Sequence, residues 1–396
     1  MNRDVFDERI ERRGTGCVKW DDCVPQSDLQ VRESPEGVLP LWVADMDFAV
    51  APAIQTAVRQ RAEHPIFGYT YVQDDYYDAV ISWFKRRHHW DIRREWILYT
   101  TGVVPAMSVA VKALTMPGER VLILSPDYNC FFSSIRNNGC EVAECVLRFC
   151  SSNNRFEVDW QDFEQQCADD KTTVSLLCNP HNPTGRLWTR DELERMRDIC
   201  HQHQVRIVSD EIHCELVMPG HTFCPMGTVD DDAVILNSPS KSFNIAGLQM
   251  ANIICQDAAT RRRIDRAINI NEVCDVNPFG PVAVKAAYND SEDWIDALNA
   301  YLWDNYRALC DFIAKHLPQW RVMPLEGTYL VWVDVSACCD SVATYCDHLL
   351  KEAKVWLNPG TMYGPKSGEG FLRINIACPR SMLLEALKRI REKVKG

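Results

Sequence analysis

Two side chains that suit chemistry on a carbon acid follow two strand-like runs of the chain. Asp210, in Ser209-Asp-Glu-Ile-His213, comes directly after the apolar run Val205 to Ser209. Lys241, in Ser238-Pro-Ser-Lys241, comes soon after Ala233 to Leu236. A lysine whose pKa is lowered by burial can attack an aldehyde and form a Schiff base. An aspartate nearby can keep a pyridine nitrogen protonated, so that the ring accepts electrons from a carbanion. Taken alone, the pair also reads as a buried salt bridge.

Three further features bear on that choice. Thr100-Thr-Gly-Val-Val-Pro105 precedes a helical run from Met107 to Leu114, so Gly102 and the backbone N–H groups after it form a helix start able to bind phosphate. Ordinary helix capping accounts for the same residues. Asn179-Pro-His-Asn-Pro-Thr-Gly185 is a turn rich in Pro, Asn and Gly after a buried strand, and a rigid connection is its plain reading. Tyr128, in Ser125-Pro-Asp-Tyr, follows another strand end and can lay its ring on an aromatic cofactor or simply pack.

The elements that must position these residues are legible in the apolar runs. Arg120 to Leu124, Thr173 to Cys178, Val205 to Ser209, Ala233 to Leu236 and Met250 to Cys255 read as strands buried on both faces. Helical patterns lie between several of them. The clearest begins with the capping box Thr189/Glu192 and puts Leu193, Met196 and Ile199 on one face. Alternation of this kind predicts an α/β fold with a mostly parallel sheet covered on both sides. In such sheets ligands sit outside the carboxyl ends of the strands, where the residues above fall.

After about residue 290 the pattern changes. Ser291 begins a long helix that turns Trp294, Ile295, Leu298, Leu302, Leu309, Phe312 and Ile313 inward. Strand-like stretches at Tyr329 to Val335 and Gly370 to Ile376 follow, then a terminal helix through Leu383, Leu387 and Ile390. The expected organisation is a large domain over residues 49–290, a smaller α/β domain over 291–396, and an N-terminal segment, 1–48, joining the smaller one. Core packing is the default for Trp42, Tyr71 and Tyr329.

Composition narrows the function. The 396 residues carry 43 Lys and Arg against 55 Asp and Glu, a net charge of -12 without a basic run, which disfavours nucleic acid and anionic membranes as partners. Met1 to Arg13 is densely charged and unlike a secretion signal, and no apolar stretch approaches bilayer length, so the cytoplasm is expected. The 18 cysteines form no Cys-x-x-Cys pair and read as free thiols. The two zinc-like fragments, His201 with His203 and His213 with Cys214, lack a second ligand pair, and no metal is expected.

With these residues in view, the chain resembles the fold type I pyridoxal-phosphate enzymes, and among them the cystalysin and MalY/PatB-type carbon–sulfur β-lyases. The resemblance runs nearly end to end. It rests on Val43-Ala-Asp-Met-Asp-Phe48, Phe67-Gly-Tyr69, Gly102-Val-Val-Pro105, Pro180-His-Asn-Pro183, Ser209-Asp-Glu-Ile-His213, Pro239-Ser-Lys-Ser-Phe-Asn-Ile245, Glu326-Gly-Thr-Tyr-Leu330 and Arg373-Ile-Asn375.

The resemblance implies pyridoxal 5′-phosphate bound to Lys241, with Asp210 on the pyridine nitrogen, His213 in support, Asn182 on the phenolic oxygen and Tyr128 stacked on the ring. Its phosphate would meet Gly102, Val103, Val104, Ser238, Ser240 and Tyr69 of a neighbouring subunit, hence a homodimer. Arg373, Asn182 and Ala44 would hold the amino-acid substrate, the arginine by a planar fork that lysine lacks. The implied reaction is α,β-elimination from cystathionine, cysteine or another cysteine S-conjugate, giving a thiol, pyruvate and ammonia. An aminotransferase is the alternative, and a regulatory protein that retains the site is a third reading. Gln249 stands where many aminotransferases of this fold carry a phosphate-binding arginine, which leans towards the lyase branch. Asn358 and Cys130 leave the substrate detail open.

Overall fold

The apolar runs predicted as strands pair side by side in one large sheet. The computed structural model describes residues 3–21, 37–270 and 275–393, so residues 22–36 of the expected N-terminal segment lie outside it. In chain order the large sheet contains β1 (Ile97–Thr100), β2 (Arg120–Ser125), β3 (Glu141–Val146), β4 (Thr172–Cys178), β5 (Arg206–Asp210), β6 (Val234–Asn237) and β7 (Ala251–Cys255). Their spatial order is β1-β7-β6-β5-β4-β2-β3.

Alternating side chains explain why this sheet needs cover on both faces. Val121 and Ile123 of β2 join one buried cluster with the Val103–Leu114 and Ala258–Ile270 helices, while Leu122 and Leu124 join the other. Each such aliphatic side chain, fully buried, contributes roughly 1.5–3 kcal/mol. The helix over Arg190–Gln202 starts as expected, with both halves of the Thr189/Glu192 capping box formed and Leu193, Met196 and Ile199 buried. β3 alternates buried and exposed residues and lacks such a run, whereas β1 carries the apolar Ile97-Leu98-Tyr99 that the strand reading left out.

Strand direction decides where the chemistry gathers. β2 to β6 pair in parallel, whereas β7 is antiparallel to both β6 and β1. One edge of the sheet therefore carries the carboxyl ends of β1, β2, β4, β5 and β6 and the amino end of β7. The sheet is mostly parallel, and this edge is the one expected to hold ligands.

A second sheet follows, with β8 (Arg321–Val322), β9 (Leu330–Asp334), β10 (Asn358–Pro359) and β11 (Phe371–Asn375) in the antiparallel order β8-β9-β11-β10. It packs with the Glu292–His316 and Arg380–Lys393 helices. Ser291 precedes the first of these, yet its hydroxyl donates to Ala286 O instead of capping the helix. Phe312 is only partly buried, unlike the other six residues expected to face inward. The N-terminal segment is tied in where Leu39–Pro40 runs parallel to Val355–Trp356.

Trp42 and Tyr329 are buried as expected. Tyr71 is not: 72% of its surface is exposed, because it stands on the loop between two helices where nothing in the single chain covers it. Cys140, Cys145, Cys178, Cys200, Cys214 and Cys255 are buried free thiols. No helix among the described residues is long and apolar enough to cross a membrane.

Candidate active site

A cavity of about 310 Å³ opens at the shared strand edge. Its lining comes from the ends of several strands: Gly102, Val103 and Val104 after β1, Tyr128 after β2, Asn182 after β4, Asp210 and His213 at β5, Ser240 and Lys241 after β6. Gln249 and Met250, just before β7, complete it because β7 runs the opposite way. Ala44 enters from the N-terminal segment.

Lys241 reaches out of the loop after β6 and donates from Nζ to Ala44 O at 2.6 Å. Burial pushes its pKa down; Asp45, then Cys130 and Asp210, oppose that, while Arg373 adds to it. A neutral amine is thereby made more accessible near neutral pH, as attack on a carbonyl requires. Asp210 is buried too, and burial raises its pKa to about 7 against the pull of the Ile212 N–H and of Lys241. The two residues do not form the direct salt bridge that was their plain reading, since Lys241 Nζ is bonded to a carbonyl.

His213 is buried, with its pKa lowered to about 3 by burial and by the nearby charges of Lys241 and Arg373. The imidazole is thus neutral, packs edge-on to Tyr329, and leaves Nδ1 without a partner. Cys214 points elsewhere, to Asn237 Nδ2 and Glu215, so the pair does not act as a unit. His201 rests on Asp230 instead of joining His203.

At the other end, the Val103–Leu114 helix begins at Gly102. The first N–H to enter its ladder is that of Ala106, onto Gly102 O. Those of Val103 and Val104 are left for a ligand, and Pro105 has none to satisfy. Ser240 lines the cavity, whereas Ser238 is buried beneath it and spends its hydroxyl on Met250 O, accepting in turn from Ser240 N–H. Ser238 thereby shapes the Lys241 loop. Tyr69 lies outside this cavity on the surface of the single chain, 98% exposed.

Arg373 arrives from β11 of the second sheet and is 3% exposed, not the surface residue that a strand-end arginine suggests. Its Nη1 donates to Asn182 Oδ1 at 3.1 Å and its Nη2 to Trp42 O at 2.8 Å, while the guanidinium lies 4.7 Å from the Tyr363 ring centre. Nε is buried without a partner. Asn358 braces the same corner, donating to Trp42 O and to the Tyr363 hydroxyl. Tyr128 has its hydroxyl pKa raised well above the usual range by burial and by the neighbouring thiol of Cys130.

Sequence reasoning passed over what holds the Trp42–Phe48 loop. Its carbonyls are taken one after another: Trp42 O by Arg373 and Asn358, Val43 O by Asn375, Ala44 O by Lys241 and Tyr329. Asp45 O accepts from Asn375 and Lys19, Met46 O from Asn244 and Arg12, and Phe48 O from Asn244. Asn244 and Asn375 stand inside two motifs already singled out, three residues after Lys241 and two after Arg373. Their position beside those residues was the available signal.

Comparison with known proteins extends the resemblance. A family model described as aminotransferase class I and II matches residues 36–390. The chain is 38% identical over 390 residues to the cystathionine β-lyase PatB of Bacillus subtilis, covering 98% of both chains. It is 33% identical to the protein MalY of Escherichia coli, covering 96% of this chain and 95% of the other. Among solved structures, cystalysin from Treponema denticola, which contains pyridoxal 5′-phosphate, superposes with a TM-score of 0.92 at 34% identity over 98% of each chain. The pyridoxal-phosphate-bound C–S lyase of Staphylococcus hominis does so with 0.89 at 31% identity, again over 98% of each chain.

Proposed function

The chain belongs to the class I and II aminotransferase family, and from that premise we infer that it is a pyridoxal 5′-phosphate-dependent carbon–sulfur β-lyase. It splits L-cystathionine, cysteine or a related cysteine S-conjugate, with water, into a thiol (or hydrogen sulfide), pyruvate and ammonia. The observation that carries this reading is the gathering of Lys241, Asp210 and Asn182 at one strand edge, with Arg373 of the second sheet bonded to Asn182, in a chain that matches a cystathionine β-lyase over 98% of its length.

The cavity fits the cofactor on three counts. Its 310 Å³ suits a small aromatic phosphate ester. The Val103 and Val104 N–H groups face one end at a helix start, and the unpartnered His213 Nδ1 marks a polar group awaiting a ligand. Once bound, the cofactor supplies an aldehyde for an amine and a ring that stores the electrons left by the α-proton.

The chain's residues do the rest. Lys241, its pKa lowered, holds the cofactor and, when freed by substrate, takes the α-proton on Nζ. Asp210, its pKa raised by burial to about 7, would be favoured as a carboxylate beside a cationic ring nitrogen and would keep that nitrogen protonated. Arg373 presents its fork, and Asn182 beside it, to the substrate carboxylate, with Ala44 on the loop above. The cofactor would be held by the Tyr128 ring, by Asn182 and neutral His213, and at its phosphate by Gly102, Val103, Val104 and Ser240. Ser238 contributes by fixing Ser240.

Tyr69 completes the phosphate site of a second copy, in a homodimer. Its 98% exposure, next to exposed Ile66, Phe67 and Tyr71, supports an interface there. Residues 49–290 form the cofactor-holding unit, and 291–396 with the N-terminal segment form the unit that brings Arg373. Buried free thiols suit a reducing compartment such as the cytoplasm.

An aminotransferase shares the first steps, and the family model bears that name. Gln249 at the cavity wall, in place of an arginine, favours the lyase. Incubation with L-cystathionine tests the reading. Pyruvate released without added keto acid, and lost in Lys241→Ala, is expected; turnover that requires a keto acid would assign an aminotransferase instead.

A further inference from the structure

The N-terminal segment ends in an ion cluster directly behind the catalytic lysine. Arg12 Nη2 donates to Asp45 Oδ2 at 2.6 Å and Nη1 to Asp47 Oδ1 at 2.7 Å. Lys19 Nζ donates to Asp47 Oδ2 at 2.7 Å and to Asp45 O at 3.2 Å, and its side chain is wholly buried. Trp20 Nε1 closes the group on Asp47 Oδ1 at 2.7 Å. Two cations thus balance two anions. Both anions stand on the same loop as Ala44, whose carbonyl receives Lys241 Nζ.

We propose that Arg12 and Lys19 are positioning residues for Lys241: they grip the loop by Asp45 and Asp47, set the Ala44 carbonyl against Nζ, and neutralise Asp45 so that its charge does not hold a proton on the amine. Neither residue touches the cavity, which Ala44 lines and they do not. Arg12 bonds through both Nη atoms and buried Lys19 meets Asp47 directly, so the charges of the clamp are met as burial requires.

Asp45 links the clamp to the amine, whereas Arg12 and Lys19 are not themselves among the charges that shift it. Asp45 is the strongest of the charges acting to raise the Lys241 pKa, ahead of Cys130 and Asp210, and Arg373 opposes it. His213 faces the amine as a neutral ring and Tyr329 shares the Ala44 carbonyl. Removing Arg12 leaves the cluster one charge negative, removing the Asp45 charge leaves it one positive, and removing both returns it to balance.

This inference rests on the proposal that Lys241 carries the cofactor, and the test separates the two. The cofactor-loaded protein is titrated with pH and the visible band that reports protonation of the Lys241 nitrogen is followed, with Lys241→Ala as control. If the wild-type protein shows no such band, the cofactor reading fails and takes this inference with it. Given the band, Arg12→Met is expected to raise its midpoint by roughly 0.5–1 pH unit, and Asp45→Asn to lower it. The double variant Arg12→Met/Asp45→Asn returns it close to the wild-type value. Lys19→Met, a second route to the same imbalance, shifts it in the direction of Arg12→Met. An unchanged midpoint in Arg12→Met and Lys19→Met, shifts of one sign in Arg12→Met and Asp45→Asn, or a double variant as displaced as Arg12→Met would overturn the proposal. A merely structural clamp gives no such reversal of sign.

Discussion

Replacing Arg373 by lysine keeps the charge and removes the fork. In the wild-type protein Nη1 and Nη2 donate to Asn182 Oδ1 and Trp42 O at 3.1 and 2.8 Å, and the guanidinium lies 4.7 Å from the Tyr363 ring centre. A single ammonium cannot satisfy those acceptors and grip a substrate carboxylate in two parallel bonds. One charge-assisted hydrogen bond, about 1.5–3 kcal/mol, is lost, with about 0.5–1 kcal/mol of ring contact. Together these amount to roughly 2–4 kcal/mol, or about 30- to 1,000-fold in kcat/KM. Steady-state kinetics with L-cystathionine measures the change, and the visible spectrum shows that cofactor loading persists. A kcat/KM within threefold of wild type would refute the carboxylate role of Arg373.

Three further outcomes follow from the same geometry. Burial raises the Asp210 pKa from 3.8 to about 7, so the folded apoprotein binds this proton more tightly than the unfolded chain and loses stability as pH rises from about 4 through 7; denaturation of cofactor-free Asp210→Asn should therefore match wild type near pH 4 and exceed it at pH 8, by up to about 4 kcal/mol. Gly327→Ala puts a methyl 2.9 Å from Pro180 Cβ and 3.1 Å from Leu216 O, against the turn that carries Asn182. A stability loss of about 1–3 kcal/mol in urea unfolding is expected. Sedimentation should give a two-chain particle for both wild type and Tyr69→Phe, with cofactor leaving the variant about tenfold faster if that hydroxyl holds the phosphate of the other copy.

How far the sequence revealed this molecule depends on which physical signal a residue carries. Strands buried on both faces announce themselves as short aliphatic runs, so β2, β4, β5, β6 and β7 were legible to within a residue of their ends. The two margins of the sheet were not read as strands: β3 alternates buried and exposed residues, while β1 carries the run Ile97-Leu98-Tyr99, a signal passed over. The antiparallel turn of β7 was equally hidden, since direction leaves no mark on composition, yet it is what brings Gln249 into the cavity. Lys241 and Asp210 were visible because each follows a strand that could be read, while Asn182 stood in a turn that read as a rigid connection and was singled out only by the family resemblance. Arg373 needed the family resemblance, because only the meeting of two sheets shows it to be buried. Arg12 and Lys19 bind backbone carbonyls far away in sequence and have no local pattern to betray them, whereas Asn244 and Asn375 could be suspected only from their place beside Lys241 and Arg373.

A β-lyase is told most directly from an aminotransferase by counting products over many turnovers in the absence of any keto acid. Purified protein, at a known concentration of cofactor-bound sites, is mixed with excess L-cystathionine, and pyruvate, ammonia and thiol are measured together. The three are expected in equal amounts, rising far beyond one per site and absent in Lys241→Ala. Product that stops at one equivalent per site, and resumes only when a keto acid is added, would contradict the β-lyase reading.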